Sequence, residues 1–247
     1  MNFFKKIFHK EQFPTIDFSV FKTDMHSHLI PGIDDGSQSL EQSIEIIRAF
    51  KNLGYQKIIT TPHVMCDYYK NTPEIILGGL ENLKAELTRL NISIEIEAAA
   101  EYNLDDGLEK IIDDKQLLTF SNNHVLFELP FMQEPQNFQE IVFKLQTQGY
   151  KPILAHPERY SYWHKNFEKY EELKAKGILL QVNLLSLTGH YSPEVKKIAE
   201  RMVDAGLVDL VGTDCHKIEH LAILEKHANS KYFNLLANNN QLMNGDI

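Results

Sequence analysis

The chain has few cysteines and no long apolar run. Only Cys66 and Cys215 occur among its 247 residues. Two cysteines provide no disulfide framework and fit a reducing compartment, so we expect a cytoplasmic protein. No run of about 18 consecutive apolar residues is present, and the sequence therefore predicts no transmembrane helix.

Positive charge is also scarce. Lysine and arginine total 25 against 34 aspartates and glutamates, which gives a formal net charge of −9. Proteins that bind nucleic acid usually carry a basic surface, so nucleic acid is not expected as a partner. Divalent ions bound in a pocket would make that pocket locally positive despite the acidic surface. This combination fits a substrate with a small anionic group.

The N-terminal segment lacks the features of a secretory signal. Residues 1–10 are basic and aromatic, without an apolar stretch followed by a small-residue cleavage site. We interpret residues 1–21 as a lead-in segment that packs on a single domain formed by residues 22–247. Weak contact of the N-terminus with a membrane surface is the alternative.

Apolar strand-like runs alternate with amphipathic helical stretches through the rest of the chain. Strands are predicted over residues 23–28, 57–61, 92–100, 125–129, 152–155, 178–183 and 208–212. Helices are predicted over residues 39–53, 73–90, 105–112, 137–148, 167–176 and 193–205. Strict alternation indicates a parallel sheet with right-handed crossovers. Polar motifs after so many different strands favour a distorted (β/α)7 TIM-like barrel over an open sheet, whose ligands gather at one switch point.

Short motifs of His, Asp and Glu follow these strands. His26 and His28 share one strand face, because side chains alternate with period two. A single His-x-His pair is a weak signal. Similar His, Asp and Glu motifs after several strands predict that these side chains converge on one site. Imidazoles and carboxylates without thiolates suit ions such as Zn, Mn or Fe. The motifs are Asp24-Met25-His26-Ser27-His28, Asp34-Asp35-Gly36, Thr61-Pro62-His63, Glu101-Tyr102, Phe127-Glu128, His156-Pro157-Glu158-Arg159 and Asp214-Cys215-His216.

Two carboxylates lie within strongly apolar runs. Glu101 follows a stretch rich in Ile and Ala, and Glu128 lies between Phe127 and Leu129. A carboxylate in such surroundings is costly unless it is paired or binds a metal. A salt bridge to an Arg or Lys of a neighbouring strand is the alternative for Glu128. The remaining histidines lie outside the strand ends and are interpreted as non-ligands: His9, His124, His164, His190, His220 and His227.

The opening motif, together with Ile33-Asp34-Asp35-Gly36, resembles the PHP (polymerase and histidinol phosphatase) metallophosphoesterases. Within them the chain is most similar to the bacterial capsule-type tyrosine-protein phosphatases, over residues 22–245. Further blocks resemble that family in the same order: Thr60-Thr61-Pro62-His63, Ala99-Ala100-Glu101-Tyr102, Ala155-His156-Pro157-Glu158-Arg159-Tyr160, Gln181-Val182-Asn183 and Gly212-Thr213-Asp214-Cys215-His216.

This resemblance implies a metal-ligand set and three catalytic residues. The implied ligands are His26, His28, Asp35, His63, Glu101, Glu128, His156, Asp214 and His216. They would suffice for three divalent ions per chain if Glu101 bridges two. Mn is favoured, with Fe, Zn, Mg or Co as alternatives. One expected sharing places His26, His28, Glu101 and Asp214 on the first ion, Glu101, Glu128 and His156 on the second, and Asp35, His63 and His216 on the third. Arg159, Asp214 and His216 are the implied catalytic residues, with Arg159 binding phosphate.

The implied reaction is hydrolysis of phosphotyrosine by a metal-activated water. The substrate would be a phosphotyrosine protein, namely a bacterial tyrosine kinase that controls capsule or exopolysaccharide synthesis. A thiolate mechanism is excluded, because it requires an arginine six positions after the cysteine, where this chain has Thr72 and Leu221. Two alternatives remain open: a small-metabolite phosphatase of the histidinol-phosphatase type, and a non-catalytic regulatory module stabilised by metal.

The rim of the predicted site contains aromatic residues that could contact the phenyl ring of a substrate. The candidates for this role are Tyr68, Tyr69 and Tyr160, with Tyr162 and Trp163 nearby, and ordinary loop packing is the alternative for each of the three tyrosines. Metal ions and an arginine would serve any phosphate monoester, so selectivity would have to come from this rim.

Overall fold

Parallel strands form the centre of the computed structural model, which describes residues 13–247. One sheet contains β1 (Thr23–Asp24), β2 (Lys57–Thr60) and β4 (Glu95–Ala98). The second contains, in spatial order, β3 (His63–Val64), β5 (Glu101–Asn103), β6 (His124–Glu128), β7 (Lys151–Ala155), β8 (Leu179–Asn183) and β9 (Leu210–Gly212). Every pairing between neighbouring strands is parallel, which confirms the predicted α/β class.

Two of the predicted strands are each divided by a short break. The break between β2 and β3 contains Thr61 and Pro62, and the break between β4 and β5 contains Ala99 and Ala100. Hydrogen bonds from Ala99 N to Thr60 O (2.9 Å) and from Glu101 N to Pro62 O (3.0 Å) continue the pairing across both breaks. The nine short strands of the described chain therefore correspond to seven passages, as the sequence predicts.

The last passage also pairs with the first. Asp214 N donates to His26 O at 2.8 Å, and His28 N donates to Cys215 O at 2.9 Å. These bonds surround a parallel bridge between Ser27 and Cys215. The pairing closes the seven passages into the distorted barrel expected from the sequence, and it brings both His-containing motifs to the same seam.

Helices lie between the strands, and six match the predicted positions. They are α1 (Leu40–Asn52), α2 (Pro73–Arg89), α3 (Leu108–Asp113), α4 (Phe138–Thr147), α5 (Glu168–Ala175) and α6 (Pro193–Asp204). Ser39, Thr72 and Ser192 begin three of them, because each hydroxyl accepts a hydrogen bond from an amide in the first turn. Two further helices were not predicted, α7 (Ile218–Lys226) and α8 (Lys231–Ala237). Both are short, and Lys217, which precedes α7, provides no side-chain cap.

Apolar side chains fill both faces of the strands. Ile153 and Ala155 belong to a small buried cluster, whereas Leu154 belongs to the large cluster that includes apolar residues of the helices. Because side chains alternate along a strand, the two clusters occupy opposite faces of the strands.

The described part of the lead-in segment packs on this body. Phe18 and Phe21 are buried in a short 3-10 helix, and Ile16 N donates to Ala228 O. Residues 1–12 lie outside the described residues, and so does the suggested membrane-surface contact. Within residues 13–247 no helix is both long and apolar enough to cross a membrane.

Candidate active site

The nine predicted ligands meet at the carboxyl ends of the strands. His26 and His28 are fully buried, and their Nε2 atoms lie 3.4 Å apart. Asp214 Oδ1 lies 3.5 Å from His26 Nε2 and 3.4 Å from His28 Nε2. The i, i+2 spacing read from the sequence therefore points both imidazoles toward one place, next to a carboxylate from the far end of the chain.

Glu101 occupies the centre of the cluster. Its Oε2 lies 3.3 Å from His26 Nε2, 3.6 Å from His28 Nε2 and 3.0 Å from His63 Nδ1. Its Oε1 lies 3.0 Å from His156 Nε2. Glu101 is fully buried, and its Oε2 makes no hydrogen bond with any described residue. A buried carboxylate oxygen surrounded by nitrogen atoms but bonded to none of them is well placed for a cation.

The remaining ligands surround this centre. Glu128 Oε1 lies 3.4 Å from His63 Nδ1, and its Oε2 lies 3.8 Å from His156 Nε2. The neighbours of Glu128 are thus imidazoles rather than the arginine or lysine of the alternative interpretation. On the other side, Asp35 Oδ1 lies 3.5 Å from His63 Nε2 and 3.4 Å from His216 Nε2.

Four groups of these side chains place ligand atoms within 4.8 Å of one another. The groups are His28, Asp35, His63 and His216; His26, His28 and Asp214; His26, Glu101 and His156; and His63, Glu101 and Glu128. Glu101 takes part in two groups, as a bridging carboxylate would. The grouping differs from the expected sharing. His28 also joins Asp35, His63 and His216, and Glu128 groups with His63 instead of His156. His26 also joins Glu101 and His156, and Glu101 is absent from the group of His26, His28 and Asp214. The ring of His28 also stacks on that of His216, with centroids 4.0 Å apart.

Hydrogen bonds at Nδ1 orient three of the imidazoles, two with side chains outside the set and one with the backbone of Asp214. His26 Nδ1 donates to Gln181 Oε1 (2.8 Å), and His28 Nδ1 donates to Asp34 Oδ2 (2.8 Å). His216 Nδ1 donates to the backbone carbonyl of Asp214 (2.9 Å). A proton on Nδ1 leaves the lone pair on Nε2, which is the atom that faces the cluster. Sequence reasoning did not assign this role to Asp34 or Gln181.

A chain of two side-chain amides also connects His26 to Asp214 behind the ligand atoms. Gln181 Nε2 donates to Asn183 Oδ1 (2.9 Å), and Asn183 Nδ2 donates to Asp214 Oδ2 (2.8 Å). The signal was present in the sequence, because two amides separated by Val182 lie on one face of an otherwise apolar strand.

The backbone is constrained where the ligands are held. His156 and Asp214 adopt left-handed conformations, with φ of 35° and 51°. Such conformations are costly for residues other than glycine and cluster at functional sites. Gly36 is required for a different reason, since a Cβ atom there would lie 2.3 Å from His28 O.

The pKa values of the buried side chains show that the site favours positive charge. Burial alone would lower the pKa of His63, but the nearby charges of Glu101 and Glu128 raise it to about 12. Burial alone would raise the pKa of Asp214, yet the surrounding imidazoles and Arg159 hold it well below its ordinary value. Four carboxylates share this small space with five imidazoles, and the oxygen and nitrogen donors suit divalent ions. The set therefore fits the ions that the sequence predicts.

Arg159 lies beside the ligand set. Its Nη1 donates to Asp214 Oδ2 at 3.1 Å, and its side chain is 24% exposed. The guanidinium lies over two aromatic rings, with its Cζ atom 4.8 Å from the centroid of Phe131 and 4.2 Å from that of Tyr191. Stacking and the ion pair fix a planar fork of donors of the kind that binds phosphate oxygens.

A cavity of about 490 Å³ opens above the ligands. Arg159, Phe131, Tyr191, Tyr69, Met65 and Lys217 are among its lining residues. Three residues expected at the rim have different outcomes. Tyr69 lines the cavity, Tyr68 is exposed and does not line it, and Tyr160 is fully buried. The expectation for Tyr160 was wrong, because its hydroxyl donates to Ala155 O and accepts from Leu129 N, which holds the ring beneath the site.

The remaining histidines and cysteines contribute no ligand atom to the four groups. His220 also lines the cavity, and its Nδ1 accepts a long hydrogen bond from His216 N (3.4 Å). Its interpretation as a non-ligand, like those of His124, His164, His190 and His227, stays a prediction, and His9 lies outside the described residues. Cys215 is fully buried in the large apolar cluster, as expected for packing.

Comparisons with known proteins agree with this geometry. The family model described as "Capsular polysaccharide synthesis, CpsB/CapC" matches residues 22–241. The tyrosine-protein phosphatase YwqE of Bacillus subtilis is 31% identical over 229 residues, which cover 89% of this chain and 90% of YwqE. Crystal structures described as YwqE from Bacillus subtilis and CpsB from Streptococcus pneumoniae, "unique metal-dependent tyrosine phosphatases", include a match with a TM-score of 0.75 and 30% identity. That match covers 87% of this chain and 92% of the other.

A more distant match shares the fold alone. It is a histidinol phosphate phosphatase of Lactococcus lactis, with 14% identity and a TM-score of 0.51, over 83% of this chain and 93% of the other.

Proposed function

Because the chain belongs to the CpsB/CapC family of capsular polysaccharide synthesis proteins, we propose that it is a metal-dependent protein-tyrosine phosphatase. It would hydrolyse the phosphate ester of phosphotyrosine in a protein. The observation that carries the proposal is the convergence of nine imidazoles and carboxylates, Glu101 among them, on one site with the ring-stacked Arg159 beside it. The names of YwqE and of the matched crystal structures point to the same activity.

The nine residues would hold the ions. The proposal includes three divalent ions, with Mn the favoured metal, and the four overlapping groups, two of which contain Glu101, support more than one ion position. When bound, such ions supply a water of lowered pKa and polarise the phosphoryl oxygens. The cluster contributes oriented lone pairs, because Gln181, Asp34 and the Asp214 carbonyl each hold one imidazole by a hydrogen bond at Nδ1.

The chain itself supplies the group that binds phosphate. Arg159 presents a guanidinium to the cavity, and its ion pair with Asp214 together with Phe131 and Tyr191 holds the guanidinium plane. A preorganised cation of this kind stabilises charge that builds up on the phosphoryl oxygens in the transition state. Asp214 thereby has two roles, since one oxygen faces His26 and His28 and the other accepts from Arg159. His216 would act through the ion it shares with Asp35.

The proposed substrate is a bacterial tyrosine kinase that controls capsule or exopolysaccharide synthesis. The family description supports this choice, because it places relatives of the chain in capsular polysaccharide synthesis. An open cavity at the ends of the strands can admit a side chain that projects from a protein segment. We propose the cytoplasm as the compartment, in keeping with two cysteines that form no disulfide.

A direct test uses purified protein freed of metal by chelation. Hydrolysis of a phosphotyrosine peptide should vanish on chelation and return when Mn or a similar ion is added. In parallel assays, kcat/KM for the phosphotyrosine peptide should exceed the value for histidinol phosphate. Full activity after verified removal of metal would overturn the metal dependence. A clear preference for histidinol phosphate would instead indicate the metabolite phosphatase, and the absence of any turnover in the metal-loaded protein would indicate a non-catalytic module.

A further inference from the structure

Tyr69, Phe131 and Tyr191 line the cavity, and the rings of Tyr69 and Phe131 each cover one imidazole of the ligand set. Tyr69 stacks on His63, with centroids 5.6 Å apart and planes 12° apart. Phe131 stacks on His156, with centroids 5.8 Å apart and planes 17° apart. Both rings are therefore adjacent to the place where a phosphate ester would react, and they belong to different loops that follow different strands.

The two rings are fixed in position. Met65 N donates to Tyr69 O (2.9 Å) and Tyr69 N donates to Met65 O (3.1 Å), which closes the loop before Tyr69. Phe131 contacts three partners, because besides His156 its ring packs on Tyr160 at 5.7 Å and on the Arg159 guanidinium at 4.8 Å. Phe131 nevertheless remains 43% exposed. Its ring thus leaves apolar surface uncovered at the cavity while it touches the group that would bind phosphate.

We infer that Phe131 and Tyr69 select aryl over alkyl phosphate monoesters. This inference rests on the proposed function and specifies the residues that recognise its substrate. In an aryl ester the ring is joined to phosphorus through a single oxygen, so a phosphate held by Arg159 leaves the ring within contact distance of its neighbours. Aromatic pairs in such contacts contribute beyond simple area burial, whereas the methylene of phosphoserine offers no ring to pack. Tyr68 has no part in the selection, since it is 79% exposed and does not line the cavity.

The test compares two peptides that differ only in carrying phosphotyrosine or phosphoserine. Phe131→Leu and Tyr69→Leu keep apolar bulk but remove the ring, and each should lower the phosphotyrosine-to-phosphoserine ratio of kcat/KM about 2- to 13-fold. Phe131→Tyr and Tyr69→Phe retain the ring and should restore the parental ratio. Phe143→Leu is the matched control, because Phe143 is 68% exposed on α4 and does not line the cavity. It should leave the ratio unchanged.

The phosphoserine peptide separates selection from damage to the site. Loss of Phe131 packing on His156 or Arg159 would slow both peptides equally, so an equal fall in both values of kcat/KM would overturn the inference. The inference would also be overturned if neither value of kcat/KM changed in either leucine variant. If the parental protein hydrolyses no phosphotyrosine peptide when loaded with metal, the proposed function itself fails, which is a distinct result from either of these.

Discussion

Replacing Arg159 with alanine should lower kcat/KM for phosphotyrosine peptides about 10²–10³-fold, equivalent to about 2.7–4 kcal/mol, while the metal ions stay bound. Arg159 belongs to none of the four ligand groups, so its removal takes away no metal ligand. It does take away a cation that the structure holds in the cavity by one ion pair and two ring contacts.

The cost to folding should be much smaller than the cost to catalysis. Each ring contact contributes about 0.5–1 kcal/mol at a partly exposed site. Asp214 Oδ2 is not left without partners, because Asn183 Nδ2 (2.8 Å) and the Tyr191 hydroxyl (3.2 Å) still donate to it. A total of about 1–2 kcal/mol would lower the Tm by only a few degrees in a chain of this size.

The assay combines steady-state kinetics with metal analysis and thermal unfolding of the same preparations. Arg159→Lys should recover part of the rate, because lysine keeps the charge but not the planar fork. Arg201→Ala is a matched control, since Arg201 also lies over a ring, that of Phe167 at 3.7 Å, but does not line the cavity. A parental rate in Arg159→Ala would refute the role of the guanidinium. Loss of metal in proportion to the loss of rate would show that Arg159 acts through the ligands instead.

Two further predictions concern the hydrogen bond that orients His26 and the role of the two cysteines. Gln181→Leu removes the acceptor for His26 Nδ1 and should weaken metal binding about 10- to 100-fold in titrations against a competing chelator; unchanged affinity would show that Gln181 does not orient His26. Cys66→Ser combined with Cys215→Ala should retain turnover, because the proposed chemistry uses no thiolate. If turnover falls more than about a hundredfold in a variant that circular dichroism shows to be folded, the result would support a thiolate mechanism.

The order of the elements could be predicted because each depends on local patterns. Apolar runs bounded by Gly and Pro, and hydroxyl caps such as Ser39 and Thr72, act within a few residues of the chain. The breaks after Thr60 and Ala98 could not be predicted in this way. Pairing continues across both breaks through hydrogen bonds to Thr60 O and Pro62 O, which join passages that are distant along the chain.

At the rim of the site, too, the tertiary structure decided what the local sequence could not. Tyr160 was expected to contact substrate from its place beside Arg159 in the sequence, yet its hydroxyl bonds within the core and its ring is buried. Phe131 and Tyr191 lie far from Arg159 along the chain and were not predicted, although both stack on it. Adjacency in sequence does not determine which side of a turn faces the cavity.

By itself the sequence determined the chemistry available to this protein. The i, i+2 spacing of His26 and His28 and the strand-end positions of Glu101 and Asp214 follow from strand periodicity and parallel topology, which are local or topological properties. Only the tertiary structure decided how these groups are shared, which nitrogen of each imidazole faces the cluster and which rings line the cavity. Those choices depend on side chains from different passages, such as Gln181 against His26 and Phe131 against His156. The contact of Gln181 with His26 depends on the pairing of Cys215 with Ser27 that closes the barrel.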